Sequence, residues 1–432
     1  MDGSATLQQP GALGWRGPRP AGAPARVATP WSFPLLLGFL LLMFSNAALL
    51  APELAALAPA QLAAMAAVAL LLAERTLSRA GLQLVDPESY LLALLLIVAT
   101  VSSFTALWPR YALENTAKLL KFAIVYLLLV NTVESWRRFD TTVKVLAIGG
   151  LFPALGALHN LYRGEFVEGS RVAWIGIFGN PNDLAYTLAV LLPLVILLAL
   201  EARGWPRAFY WAIVTVYAVA AFATYSRGGM LGLLAAGGLC FLRWSQGLQR
   251  LAGLGAGGLA MLAMASFWRR DEGFDSLAAD ATVLERLATI RGGLEMFVER
   301  PVLGVGPGCS VLGWEAYAPA DSSWSTHWLH VHNTYVQALC EVGLLGATAF
   351  FLFLGVPLLR AHRLARRWRL AGCRPAERRA TALAIAMWGL LVCGLSGGHL
   401  LSALPYLVVG LISALHLLPQ PAPVWPGTRD AL

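Results

Sequence analysis

An all-α integral membrane protein is the fold class the sequence predicts. Three observations predict it: 58% apolar residues, only 13% charged residues, and apolar runs of bilayer-crossing length recurring through 432 residues. Soluble domains carry about 25% charged residues, so this chain has too little polar surface to cover a globule in water.

The elements follow from length and composition. A spanning helix needs about 20 mostly apolar residues. Such runs occur at 33–51, 60–77, 89–107, 112–131, 141–160, 183–201, 208–225, 229–242, 251–268, 334–359, 380–397 and 399–418. The expectation is about twelve transmembrane helices. Pro193 and Pro357 are tolerated inside such runs because neighbouring helices can satisfy the freed backbone groups. The organisation expected is a Pro-, Gly- and Ala-rich disordered cytoplasmic tail at 1–32, helices one to nine over 33–268, a long loop at 269–333, helices ten to twelve over 334–418, and a cytoplasmic tail at 419–432. The first apolar run reads as a signal anchor.

Orientation follows from the basic residues, because short cytoplasmic loops retain Lys and Arg. With the N-terminus inside, the segments 1–32, 74–88, 132–144, 201–208, 243–250, 360–379 and 419–432 are cytoplasmic and hold 21 of the 32 Lys and Arg residues. The eight arginines between Arg360 and Arg379 are therefore a topology anchor, and no nucleic-acid partner is expected. The five cysteines show no paired spacing and define neither a disulfide framework nor a zinc site.

Unusual chemistry gathers on the other face, in 161–182, around Arg227, and in 269–333. Leu284, Leu287, Leu294 and Phe297 recur at helical spacing, which predicts an amphipathic helix over about 281–299 lying on the membrane or the bundle. The glycines of Gly304-Val-Gly306-Pro-Gly308 serve tight turning; no GK[ST] follows, so a nucleotide loop is not expected. Ser226 in Tyr225-Ser226-Arg227-Gly228-Gly229 can cap a helix. A cation beside a helix N-terminus opposes the dipole unless an anion shares the site, so Arg227 points to an anionic ligand. Arg286 and Arg291 stand about 140° apart around a helix and cannot face one small ligand equally. Lys118 and Lys121 lie inside an apolar run, where charge faces a bundle interior or snorkels to the interface.

His332 falls at or just before the first turn of the tenth helix. There the dipole and partial burial disfavour the imidazolium, and a neutral ring can accept a proton. His327, His330 and His332 form an H-x-x-H-x-H array without a supporting carboxylate, and Asp271, Glu272 and Asp275 read as a solvated turn. No metal site is expected from either.

Four segments in order resemble the O-antigen ligase and O-antigen polymerase superfamily, closest to the ligases. Phe178-Gly-Asn180-Pro181-Asn182-Asp183-Leu-Ala185 is similar to its F-x-N-P-N-x-x-A segment. Tyr225-Ser226-Arg227-Gly228-Gly229-Met-Leu231 is similar to its S-R-G element. Arg286-Leu287 through Arg300-Pro301-Val-Leu-Gly304-Val-Gly306 is similar to its R-to-P-x-x-G-x-G stretch. His332-Asn333, nine residues, then Gly343-Leu-Leu-Gly346 matches the H-N/S-x9-G-x-x-G signature of the ligases.

The resemblance implies a multi-pass enzyme of the bacterial inner membrane with its active site on the periplasmic face. It would transfer a preassembled glycan from undecaprenyl diphosphate to a sugar hydroxyl, with O-antigen ligation to lipid A-core as the leading reaction, inverting and without cofactor or metal. Residues 52–59 offer only Glu53 where metal-dependent relatives keep acidic motifs. In that reading His332 is the catalytic base and Arg227, Arg286 and Arg291 hold the donor diphosphate. Asn333, Ser226, Asn180, Asn182 and Lys121 support them. The partners implied are the undecaprenyl-diphosphate-linked glycan, lipid A-core or a growing glycan as acceptor, and membrane lipids. A polymerase using the same donor is the alternative; outside this class, a twelve-span transporter would give the same hydropathy.

Overall fold

The computed structural model describes residues 31–50, 52–167, 169–247, 281–318 and 329–419. Among them, regular structure is helical, apart from an isolated antiparallel bridge between Val167 and Arg171. The long helices are α1 (Ser32–Ser45), α2 (Pro59–Leu77), α3 (Glu88–Phe104), α4 (Pro109–Thr132), α5 (Trp136–Arg163), α6 (Pro181–Glu201), α7 (Trp205–Ala223), α8 (Arg227–Trp244), α9 (Ala281–Glu299), α10 (Thr334–Leu370), α11 (Arg374–Cys393) and α12 (Ala403–Leu417). Each expected apolar run within the described residues coincides with one of these helices; the run at 251–268 lies outside them. Among the described residues, five helices are long and apolar enough to cross a membrane: Glu53–Leu77, Trp136–Arg163, Pro181–Glu201, Trp205–Ala223 and Thr334–Leu370.

Helix α6 is the centre of the bundle, enclosed by α5, α7, α8 and α11. Its sequence reads apolar on every side, as a fully surrounded helix must, and Leu184 through Ala199 is almost wholly buried. A second group joins α10 to α3, α11 and α12, and α12 to α4.

The two ends of the bundle differ in chemistry. At one end, segments expected to be cytoplasmic are tied together by ion pairs. Arg75 meets Glu134 at 2.6 Å, Arg360 meets the buried Glu88 at 2.7 Å, and Arg379 bridges Asp140 at 2.7 Å and Glu201 at 2.9 Å. Arg243 and Arg369 share Glu377. The arginines between 360 and 370 are helical, since α10 runs on to Leu370 beyond the apolar run that ends at 359.

At the other end lie helix N-termini, each capped by a side chain, Ser226 among them as expected. Asn180 accepts from Asn182 N at 2.8 Å, Ser226 from Gly229 N at 3.2 Å, and Asn333 from Tyr335 N and Val336 N, both at 3.0 Å. Ser402 accepts from Leu404 N at 3.4 Å. Each cap satisfies a donor that the helix itself leaves without a partner. The positive ends of α6, α8, α10 and α12 therefore share one end of the bundle.

The amphipathic helix α9 occupies 281–299 as expected, with most of its apolar stripe turned away from the bundle. Leu284, Leu287 and Leu294 point outward, and only Phe297 of the predicted stripe turns in. The inner face is built from Thr289, Gly292, Gly293 and Met296. A β-carbon on Gly293 would fall 2.7 Å from Val336 and 3.2 Å from Val331, and one on Gly292 would fall 2.9 Å from the Tyr317 carbonyl. In a membrane setting, lipid is as apolar as leucine, so small residues that allow close approach win the packing face.

Candidate functional site

The sharp turn between α7 and α8 presents Arg227. Tyr225 adopts the left-handed region at φ 48° to make the turn, a conformation that carries strain for a non-glycine residue. Ser226 then caps α8, leaving Arg227 half-buried in the first helical turn. A residue that spacing did not single out holds this turn in place. Arg171, only 3% exposed, donates from Nε to the Thr224 carbonyl at 3.0 Å and from Nη2 to Asn182 Oδ1 at 2.6 Å. The Ser226 hydroxyl donates to the same Asn182 oxygen at 2.7 Å. Asn182 therefore joins the start of α6 to the start of α8. Asn180 stands one step before, as the α6 cap.

His332 is half-buried immediately ahead of α10. The neighbouring Asn333 explains the asparagine of the H-N pair, because its side chain both caps α10 and donates from Nδ2 to the Leu395 carbonyl at 3.1 Å. After nine intervening residues, the helix breaks. Gly343 has φ 62° and ψ −172°, and a β-carbon there would lie closer than 3.0 Å to the Val302 carbonyl. The break frees backbone groups that the glycine string then satisfies. Val305 N donates to Cys340 O at 2.8 Å, Gly306 N to Glu341 O at 3.0 Å, and Leu344 N to Pro301 O at 2.7 Å. Gly304, Gly306 and Gly308 all hold positive φ. The string is thus a wedge in a broken helix, consistent with the tight turning expected of it.

Glu341, 1% exposed, also went unnoticed in the sequence, although a carboxylate inside an apolar run is a recognisable signal. It accepts from Gly308 N at 2.9 Å and Ser310 Oγ at 2.6 Å, so it fastens the wedge.

The loop 394–402 joins the two halves. On one side Tyr186 of α6 donates to the Ser396 carbonyl at 2.7 Å, and Gly228, beside Arg227, packs directly on Ser396. On the other side Thr334 donates to Gly397 O at 2.6 Å, His399 N donates to Thr334 Oγ1 at 3.0 Å, and Leu400 N donates to Gln337 Oε1 at 3.3 Å. One loop of nine residues thus touches both the turn that carries Arg227 and the turn that follows His332. The two predicted residues share the same end of the bundle.

The other predicted residues divide. Arg286 is half-buried and within electrostatic range of the Tyr186 hydroxyl. Arg291 is exposed, pairs with Glu295 at 3.3 Å, and lines a shallow surface hollow with Leu294 and Val298. Lys121 is exposed on α4, as is Lys118, whose Nζ donates to Asn115 Oδ1 at 2.9 Å. His327 and the acidic turn at Asp271, Glu272 and Asp275 lie outside the described residues. Arrayed helix N-termini with guanidinium groups can stabilise a diphosphate, and a half-buried imidazole can take a proton.

A family model described as O-antigen ligase matches residues 212–351. The matched segment contains Arg227, Arg286, Arg291, His332 and Gly343. The chain is also 23% identical over 282 residues to the exopolysaccharide production protein ExoQ of Rhizobium meliloti (strain 1021), covering 59% of this chain and 63% of that protein. The chain thus spans somewhat less than two thirds of the curated relative it matches. Across the segment that carries Arg227 and His332, the chain is similar to the O-antigen ligase and polymerase superfamily, as its motifs led one to expect.

Proposed function

We propose that the protein is a membrane glycosyltransferase. It moves a preassembled glycan from undecaprenyl diphosphate to a sugar hydroxyl at the periplasmic face of a bacterial inner membrane, with lipid A-core as acceptor. The acceptor oxygen attacks the anomeric carbon from the face opposite the diphosphate. The C–O bond to the diphosphate breaks, its electron pair stays on the leaving oxygen, and the acceptor proton passes to His332. Attack from the opposite face inverts the anomeric configuration.

The observation that carries this reading is the single loop touching both the Arg227 turn and the His332 turn, among helix N-termini. The leaving group gains negative charge as its bond breaks, and planar guanidinium groups of Arg227 and Arg286 match that charge. General-base catalysis by a positioned imidazole is worth about 10²- to 10⁴-fold.

A second reading keeps the donor and changes the acceptor to a growing glycan, as a polymerase would. The relative whose name describes exopolysaccharide production favours it. The deciding experiment mixes purified full-length protein with lipid-linked glycan and either lipid A-core or free glycan. Product from the first acceptor supports ligation, product from the second polymerisation. No product from either, with no membrane gradient present, counts against transfer. Alanine at His332 or Arg227, in protein that inserts normally, is expected to abolish the product.

A further inference from the structure

The loop 394–402 carries a side chain that the proposed chemistry leaves without a task. His399 is 2% exposed, and neither ring nitrogen has a hydrogen-bonding partner among the described residues. Its backbone, by contrast, is fixed, since His399 N donates to Thr334 Oγ1 and the next amide to Gln337 Oε1. The ring stands edge-to-face against Tyr186, centroids 5.1 Å apart and planes at 83°. Tyr186 cannot supply the missing partner, because its hydroxyl is engaged by Ser396.

Buried polar groups are normally paired, and an unmet one destabilises the fold, so each native exception requires an explanation. An apolar residue of similar shape would fit beside the Tyr186 ring without this cost. The position of the exception is informative: His399 is held by the first turn of α10, two residues after His332, and touches Tyr186, which packs on the loop beside Arg227.

We propose that His399 binds a sugar hydroxyl of the glycan substrates at this site. A neutral imidazole offers one N–H donor and one lone-pair acceptor, and a hydroxyl offers both in return. Burial keeps the ring neutral by pushing its pKa down to about 4, so it neither competes with His332 for the acceptor proton nor repels a guanidinium. The chemistry is shared by the donor glycan and the acceptor glycan. The inference rests on the transferase reading above for the glycan as the source of that hydroxyl.

The test uses full-length protein in lipid nanodiscs, as wild type, His399→Phe and His399→Gln. Transfer kinetics are measured while donor and acceptor are varied separately. The expected result for His399→Phe is a KM raised about tenfold for one of the two, with kcat changed less than about threefold, and recovery in His399→Gln, which keeps a donor and an acceptor. A rise for the acceptor assigns the hydroxyl to it; a rise for the donor assigns it there. Unchanged KM for both overturns the proposal, as does a loss in kcat alone. If the wild type transfers no glycan, the transferase reading fails, and a thermal shift with methyl glucoside as probe decides His399. Protection of the wild type that is lost in His399→Phe supports the site; equal protection, or none in the wild type, overturns it.

Discussion

Gly228 and Ser396 lie so close that a β-carbon on the glycine would fall within 3.0 Å of the serine hydroxyl and side-chain carbon. This contact seats the loop 394–402 against the turn that presents Arg227. Gly228→Ala is therefore expected to destabilise the protein by about 1–3 kcal/mol through overpacking. Transfer activity should fall further than stability does, because Arg227 is the next residue. Thermal unfolding and initial rates on the same preparation check this, and unaltered rates would separate the loop from the site.

Arg227→Lys keeps the charge and removes the fork. If the guanidinium grips a diphosphate through two oxygens, the lysine variant should lose on the order of 10-fold or more in kcat/KM while inserting and folding as the wild type does. Steady-state kinetics with lipid-linked donor measure it.

Arg286 and Arg291 should part company. Arg291 is 62% exposed at its side chain and pairs with Glu295 along one helix, an arrangement worth about 0.3–0.5 kcal/mol. Arg291→Ala is expected to retain activity within about twofold and to cost no more than about 0.5 kcal/mol of stability. Arg286→Ala, which removes a half-buried cation within electrostatic range of Tyr186, should reduce transfer strongly. Equal losses in the two variants would contradict the facing of α9.

Arg171, Asn182 and Ser226 form one hydrogen-bonded unit, with both donors meeting the same Asn182 oxygen. Their substitutions should not add. A double-mutant cycle on Arg171→Ala and Asn182→Ala is expected to show a coupling of about 0.5–3 kcal/mol in thermal or denaturant unfolding. Additive effects would mean that the two side chains act apart.

His399 carries a pH signature. Its folded-state pKa of about 4 lies below the ordinary 6.5, so the unfolded chain binds the proton first as pH falls. The stability concerned is fully present above the ordinary value and is lost as pH drops from there toward the folded value. The expected slope approaches about 1.4 kcal/mol per pH unit within that window. The slope should be shallower in His399→Phe, whose phenyl ring does not titrate. Unfolding midpoints of both proteins across the window check the difference.

The bundle was legible in the sequence because spanning helices announce themselves by length and apolarity, and the cap Ser226 by residue type, whereas the capping by Asn180 and Asn333 came from the structure. The pairing of Arg227 with His332 at one end followed from parity of the spans. Arg171 was illegible, since one arginine in a polar loop looks like any other until the fold brings Asn182 to it. His399 was hidden because the apolar runs 380–397 and 399–418 place it at the start of a span, whereas 394–402 is a folded loop. The facing of α9 was left open by its sequence, since the stripe allowed the helix to lie on the membrane or on the bundle. Around a membrane protein, leucines lose little by facing lipid.

The interruption at Gly343 has a mechanical meaning. Residues 334–342 are bonded sideways to the segments at 301–310 and 394–400, while α10 continues from Leu344 to Leu370 beyond the non-helical backbone of Gly343. When the long part leans to match bilayers of different thickness, the short cap carrying His332 keeps its bearing on the lateral anchors. In the transferase proposed above, rates are therefore expected to vary little with the acyl-chain length of the surrounding lipid.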